Sequence, residues 1–159
     1  MSNVFFISDL HIGHRNILKY SPEREGSNTD EHDLWLLEQW NSVVKKKRDL
    51  VYVLGDVCFD QSKLWILDKM AGTKYLLPGN HDYFKLEEYM AYFDKILWFR
   101  KYHEFWISHA PIHPDELRGR KNIHGHVHSK SIRDSRYINV CVEKLNGVPV
   151  TLEEIRNEQ

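Results

Sequence analysis

Five short strand-like runs in this chain each stop at a residue that can bind a metal or move a proton, and that recurrence limits the folds available. Val4 to Ser8 is followed by Asp9-Leu10-His11, Leu50 to Leu54 by Gly55-Asp56, and Lys74 to Leu77 by Pro78-Gly79-Asn80-His81-Asp82. Phe105 to Ser108 leads into His109-Ala110-Pro111, and Asn122 to His124 into Gly125-His126-Val127-His128. Runs of this length, bounded by Gly, Pro or Asp and alternating with longer segments of helical period, are the pattern of buried strands covered by helices. The class is α/β, or a mixed αββα arrangement. In open α/β sheets ligands sit beyond the carboxyl ends of the strands, where loop side chains converge.

A length of 159 residues predicts one domain, spanning 1–159. Leu34, Leu37, Trp40 and Val44 place an apolar stripe on a helix with Thr29 or Asp30 as its N-cap. Lys45 to Arg48 close that helix, and their charges read as compensation for its C-terminal dipole rather than as a phosphate-binding patch. Leu64, Leu67 and Met70 mark a second helix; Leu86, Tyr89, Met90 and Phe93 mark a third. Tyr137 to Val142 and Val148 to Val150 read as strands, and Thr151-Leu152-Glu153-Glu154 as the capping box of a short terminal helix. The longest candidate loop, Tyr20 to Asp33, is of a length that is often functional.

Twenty-two basic and 23 acidic side chains leave a net charge of -1, so no global field draws in polyanions, and nucleic acid is not supported as a partner. The opening Met1-Ser2-Asn3 runs straight into Val4 to Ile7, too short an apolar stretch for an export signal or a membrane span. Cys58 and Cys141 lie singly in apolar surroundings, without the spacing of a thiolate zinc site. A cytoplasmic location and no membrane partner are the expectation.

Imidazole and carboxylate donors together suit manganese, iron, nickel or zinc, whereas an all-oxygen set would indicate magnesium or calcium. Two cations held about 3.5–4 Å apart can activate a bridging hydroxide and share the phosphoryl oxygens of an in-line displacement. Each fragment alone is a weak signal, since Gly-Asp is commonplace and Gly-His-x-His occurs in surface turns. The ordered set is specific. Over all five blocks, from Asp9 to His128, the chain resembles the calcineurin-like metallophosphoesterase family.

That resemblance implies an αββα sandwich of mixed sheets flanked by helices, holding two divalent transition-metal ions, manganese foremost. One ion would take Asp9, His11, Asp56 and His128; the other would take Asp56, Asn80, His109 and His126, with Asp56 bridging. It makes His81 the general acid or phosphate contact, with Asp82 orienting it. His14 and Asn16, in a His-x-Gly-His-x-Asn string shared with a compact subgroup, become candidate substrate contacts. Arg24, on the long loop, can reach a phosphate or lie solvated.

Among the remaining histidines, His124 reads as a strand-end or supporting residue, and His32, His103 and His113 as surface or capping residues. A serine or cysteine nucleophile at Ser108 or Cys58 would need a histidine free of metal duty. The aromatic cluster Trp98, Phe99, Tyr102, Phe105 and Trp106 reads as sheet packing before base stacking. The expected function is hydrolysis of a phosphodiester or phosphomonoester in a small, nucleotide-like substrate at an open, shallow site. A nuclease on DNA or RNA and a catalytically silent binding scaffold are the alternatives.

Overall fold

In the computed structural model, residues 2–158 are described; the two ends of the expected 1–159 domain, Met1 and Gln159, lie outside the described residues. The described residues form two sheets. The first contains β1 (Val4–Ile7), β2 (Leu50–Val53), β3 (Thr73–Leu76), β4 (Lys95–Ile96) and β9 (Val150–Thr151). Their order is β4-β3-β2-β1-β9, parallel except for the antiparallel edge strand β9. The second runs β5-β6-β7-β8, from β5 (Arg100–Tyr102), β6 (Phe105–Ser108), β7 (Lys121–His124) and β8 (Tyr137–Asn139). Only the β5–β6 pair there is antiparallel.

Strand alternation divides the apolar side chains of the first sheet between two layers. Phe5, Ile7, Val51, Val53 and Leu76 join the cluster under the helices, where Trp35, Leu36, Trp40, Leu67 and Tyr89 cover them. Phe6, Tyr52, Leu54 and Leu77 face the other way and meet Phe105, Ile107 and Ile123 between the sheets. Burial of each such side chain stabilises the fold by roughly 1.5–3 kcal/mol relative to exposure. The result is the mixed, helix-flanked sandwich the sequence implies.

The covering helices are α1 (Ile17–Tyr20), α2 (Thr29–Val43), α3 (Ile66–Lys69) and α4 (Leu86–Met90), with α5 (Val142–Leu145) and α6 (Leu152–Asn157) near the C-terminus. Asn28, one residue before the expected cap, caps α2 by accepting from Glu31 N–H at 3.0 Å. Of the expected stripe, Trp40 and Val44 are buried and Leu37 packs against the core, but Leu34 is 56% exposed, and His32, Asp33, Trp35 and Leu36 are buried as well. Asp33 is satisfied in that position, accepting from Gly13 N–H at 3.0 and 3.2 Å and from Lys63 Nζ at 2.7 Å. His32 is thus buried rather than a surface residue. Lys45 to Arg48 fall beyond the end of α2, exposed, so they do not sit in its last turn.

The expected strand Tyr137–Val142 stops at Asn139, whose Oδ1 accepts from Cys141 N–H at 2.9 Å in a side-chain turn that lets α5 begin. The expected terminal capping box forms, with Thr151 and Glu154 bonding each other reciprocally. Among the described residues no helix is long and apolar enough to cross a membrane.

Candidate metal centre

Parallel neighbours end side by side, and the chain keeps them joined past their last residues. After β1, His11 N–H bonds to Asp56 O at 3.0 Å and Ile12 N–H to Val57 O at 2.9 Å, tying its loop to the one after β2. Gly125 N–H reaches His109 O at 2.7 Å, which ties the β7 and β6 loops. Ser8 leaves its own sheet to pair with Cys141, its N–H on Val140 O at 2.9 Å, so the ends of β1 and β8 meet across the sandwich. These three seams bring Asp9, His11, Asp56, His109, His126 and His128 to one spot.

Local backbone there is strained. Asp9, His11, Asp56, His126 and His128 all have positive φ, between 51° and 71°, in the left-handed region that costs a non-glycine residue on the order of 1–3 kcal/mol. Such a kink just after a strand turns the side chain out of the sheet and into the common centre. Glycine is required where loops cross behind the site: a Cβ on Gly79 would lie 2.2 Å from Asp56 Oδ1, and one on Gly125 1.9 Å from Ser8 Oγ.

The donors fall into two clusters, Asp9, His11 and His128 in one and Asp56, His109 and His126 in the other. Asp56 Oδ2 stands between them, 3.7 Å from His11 Nε2 and 3.6 Å from His109 Nε2. Its Oδ1 accepts His81 N–H at 2.9 Å. Asp9 divides its oxygens similarly: Oδ2 takes Ser8 Oγ–H at 2.6 Å, His126 N–H at 2.8 Å and Cys141 Sγ–H at 3.3 Å. Asp9 Oδ1 and His11 Nε2 are buried with no hydrogen-bond partner, although the two residues face each other at 3.7 Å. Buried polar atoms are seldom left unpaired, and a shared cation would satisfy both.

Ring orientation supports the same fit. His109 Nδ1–H donates to Leu54 O at 2.6 Å, which leaves Nε2 with its lone pair. That nitrogen lies 2.9 Å from Asn80 Oδ1 and 3.1 Å from His126 Nδ1, a convergence of electron-rich atoms that a cation resolves. His128 donates from Nδ1 to Glu143 Oε1 at 3.0 Å and turns Nε2 toward Asp9 Oδ1, 3.8 Å away. Burial lowers the His11 imidazole to about 4, keeping it neutral and able to coordinate near pH 7. Burial pushes Asp9 upward, but the facing His11 ring, His109, Ser8 and the His126 N–H together pull it well below the usual carboxylate range.

Beside the clusters opens a cleft of about 560 Å³, lined by His11, His14, His81, His126 and His128, by the apolar Ile17, Tyr20, Phe59 and Val127, and by Ser21, Ser129 and Lys130. His14 stands in its wall, its ring 4.4 Å from Phe59, and burial holds its pKa down to about 4. His81 is there too, with Nδ1 hydrogen-bonded to the Tyr83 hydroxyl. Asn16 lies at the exposed start of α1 and is not among the residues lining the cleft.

Two expectations are corrected. Asp82 does not turn to His81; its carboxylate accepts the N–H groups of Gly79, Asp56 and Val57 at 2.7, 2.8 and 2.9 Å and so clamps the β2 and β3 loops together. Burial raises its pKa against the pull of those donors. Arg24 is neither solvated nor in the cleft: it is 4% exposed and donates to Asp9 O at 2.6 Å, Leu10 O at 2.9 Å and Glu143 at 2.9 Å. Glu143, which no motif in the sequence singles out, is the third party to this contact. Burial raises it, but His128 and Arg24 bring it down to about 2.

His124 is buried at the end of β7, while His103 and His113 are exposed. The aromatic cluster splits: Phe105 is buried, whereas Trp98 is 67% and Phe99 51% exposed.

Two mixed sheets flanked by helices, with two His and carboxylate clusters at the strand ends that could each hold a metal ion, place the chain among α/β folds. The chain belongs to the calcineurin-like phosphoesterase family, which it matches over residues 2–154. It is 33% identical to an uncharacterised protein of Methanocaldococcus jannaschii, over 98% of this chain and 90% of that one. Identity to the gene 66 protein of Mycobacterium phage D29 is 31%, over 98% and 95% of the two chains. A solved protein of unknown function from Aquifex aeolicus superimposes over all of both chains with a TM-score of 0.79 and 28% identity. The Pseudomonas putida nuclease MPE shares the fold, with a TM-score of 0.56 at 16% identity over 79% of this chain and 61% of that one.

Proposed function

We propose that this protein is a dinuclear metal-dependent phosphoesterase acting on small phosphodiesters or phosphomonoesters of nucleotide type, with manganese as the preferred ion. One observation carries the reading: Asp56 Oδ2 lies almost equally far from the imidazole nitrogens of two clusters, and inward atoms of the first, Asp9 Oδ1 and His11 Nε2, lack partners. In the proposed assignment Asp9, His11, Asp56 and His128 hold one ion, and Asp56, Asn80, His109 and His126 the other. Two such ions supply a water-derived nucleophile at neutral pH and offset charge on the phosphoryl oxygens.

The chain's own residues do the rest. His81, with Nδ1 engaged by Tyr83, has Nε2 to present to the leaving oxygen as a proton donor. Tyr20, Phe59 and Ile17 give the cleft an apolar wall for a base or aryl group, and Lys130 offers a cation for a further phosphate. His14, in the same wall, is placed to touch substrate.

The test is to strip the protein with chelator and reload it with Mn, Ni, Fe, Zn or Mg. Bound ions are then counted and turnover is followed on aryl phosphates and on mono-, di- and cyclic nucleotides. Two ions per chain and metal-dependent turnover are expected, with His81→Ala lowering it by about 10²–10⁴-fold while both ions stay bound. Equal turnover with and without chelator would refute the reading. Salt-sensitive cleavage confined to oligonucleotides would replace it with a nuclease.

A further inference from the structure

The long loop before α2 and the short helix α5 are far apart in sequence, yet a buried ion pair joins them directly behind one half of the metal centre. Arg24 Nε and Glu143 Oε1 lie 2.9 Å apart, both side chains fully shielded from solvent. Glu143 Oε1 is also the acceptor for His128 Nδ1–H at 3.0 Å, so one oxygen serves both partners. The remaining Arg24 donors hold Asp9 O and Leu10 O, the backbone just ahead of His11. His32 sits behind the guanidinium, 3.3 Å from Nη1, and its other nitrogen is 3.1 Å from Asp33, the carboxylate that pins Gly13. Among the described residues these contacts touch Asp9, the His11 loop and His128, and none touches His109, His126 or Asn80.

Taking two charges out of water is costly, and replacing a buried pair with apolar groups is often neutral for stability. What such a pair supplies is fixed orientation. A carboxylate on the far nitrogen of a ligating imidazole locks its tautomer and strengthens it as a donor. We propose that Arg24 and Glu143 are positioning residues for a single ion: they set the affinity of the half formed by Asp9, His11 and His128 and leave the other half unaffected. The inference rests on the two-ion reading above.

The experiment compares the wild-type chain with Glu143→Gln in Mn²⁺ titrations by calorimetry, with ion counts and electron paramagnetic resonance at saturation. Wild type should take two ions and show an exchange-coupled pair. Glu143→Gln should lose about 10–100-fold in affinity for one ion only. At Mn²⁺ levels that just saturate wild type it should then hold one ion per chain, with the six-line spectrum of isolated manganese. Loss of both ions together, or two ions bound as tightly as in wild type, would overturn the proposal. If the single variant leaves Arg24 unpaired and does not fold, the neutral pair Arg24→Gln with Glu143→Gln is read in the same way. Failure of both to fold, judged by circular dichroism, would make the pair a folding determinant and would also overturn it. A wild-type chain that binds no manganese would instead remove the two-ion reading beneath the proposal.

Discussion

The two halves of the candidate metal centre use the same donor types but are held in place differently. Asp9, His11 and His128 lie over a buried charge pair, and two of the three are buried. Asp56, His109 and His126 are oriented by a backbone carbonyl behind His109 and by the Asp82 clamp under the loops, with His126 and Asn80 exposed. A ligand's identity therefore says little about how firmly it is held. Both halves nonetheless face the cleft, through His11 and His128 of the first and His126 of the second.

The most disruptive way to test the contrast is to remove what the halves share. Asp56→Asn should cost both ions and lower turnover by about 10⁴-fold or more, because each tenfold in rate is about 1.4 kcal/mol and metal stabilisation is worth several kcal/mol. Ion counting and turnover check it together, and one tightly retained ion would show that Asp56 does not bridge. Gly125→Ala pushes a Cβ against Ser8 and Asp9 and should disturb the buried half first, with a stability loss of about 1–3 kcal/mol in denaturant titrations.

Asp82→Asn tests the open half. It takes a charged acceptor from three backbone donors and should cost about 1–3 kcal/mol of stability. Ion loss should fall first on the half held by His109 and His126 and reach the other only through the shared Asp56, in contrast to Glu143→Gln. The smallest effect belongs to a pair remote from both halves. Arg156 donates to Glu104 at 2.6 and 2.8 Å and holds its carboxyl down to about 2. A depressed carboxylate contributes stability that is present above its ordinary value of 4.5 and is lost as pH falls toward 2. Glu104→Gln should therefore flatten acid unfolding slightly in that window and leave metal binding untouched, as circular dichroism against pH will show.

Strands and the candidate ligand positions are readable in the sequence because both are local signals. A short apolar run ending in Asp-x-His declares a strand and the loop beyond it within a dozen residues. Arg24 and Glu143, 119 residues apart, carry no such signal: an arginine in a polar loop looks solvated, and a glutamate in Val142-Glu143-Lys144-Leu145 looks like an exposed helix face. Asp82 misleads because adjacency to His81 suggests partnership, whereas its side chain turns back toward its own loop. The apolar stripe of α2 is read correctly at Leu37, Trp40 and Val44 but not at Leu34, and hydrophobic period gives no sign of the buried His32 and Asp33 on the same helix.

The left-handed turns at Asp9, His11, Asp56, His126 and His128 set folding and chemistry against each other. Glycine would sit more comfortably at every one of them, so a descendant under no selection for these side chains would gain robustness by drifting there. Keeping aspartate and histidine at these bends is a standing load on the scaffold, and the tightly filled layers beneath are what allow it to be carried.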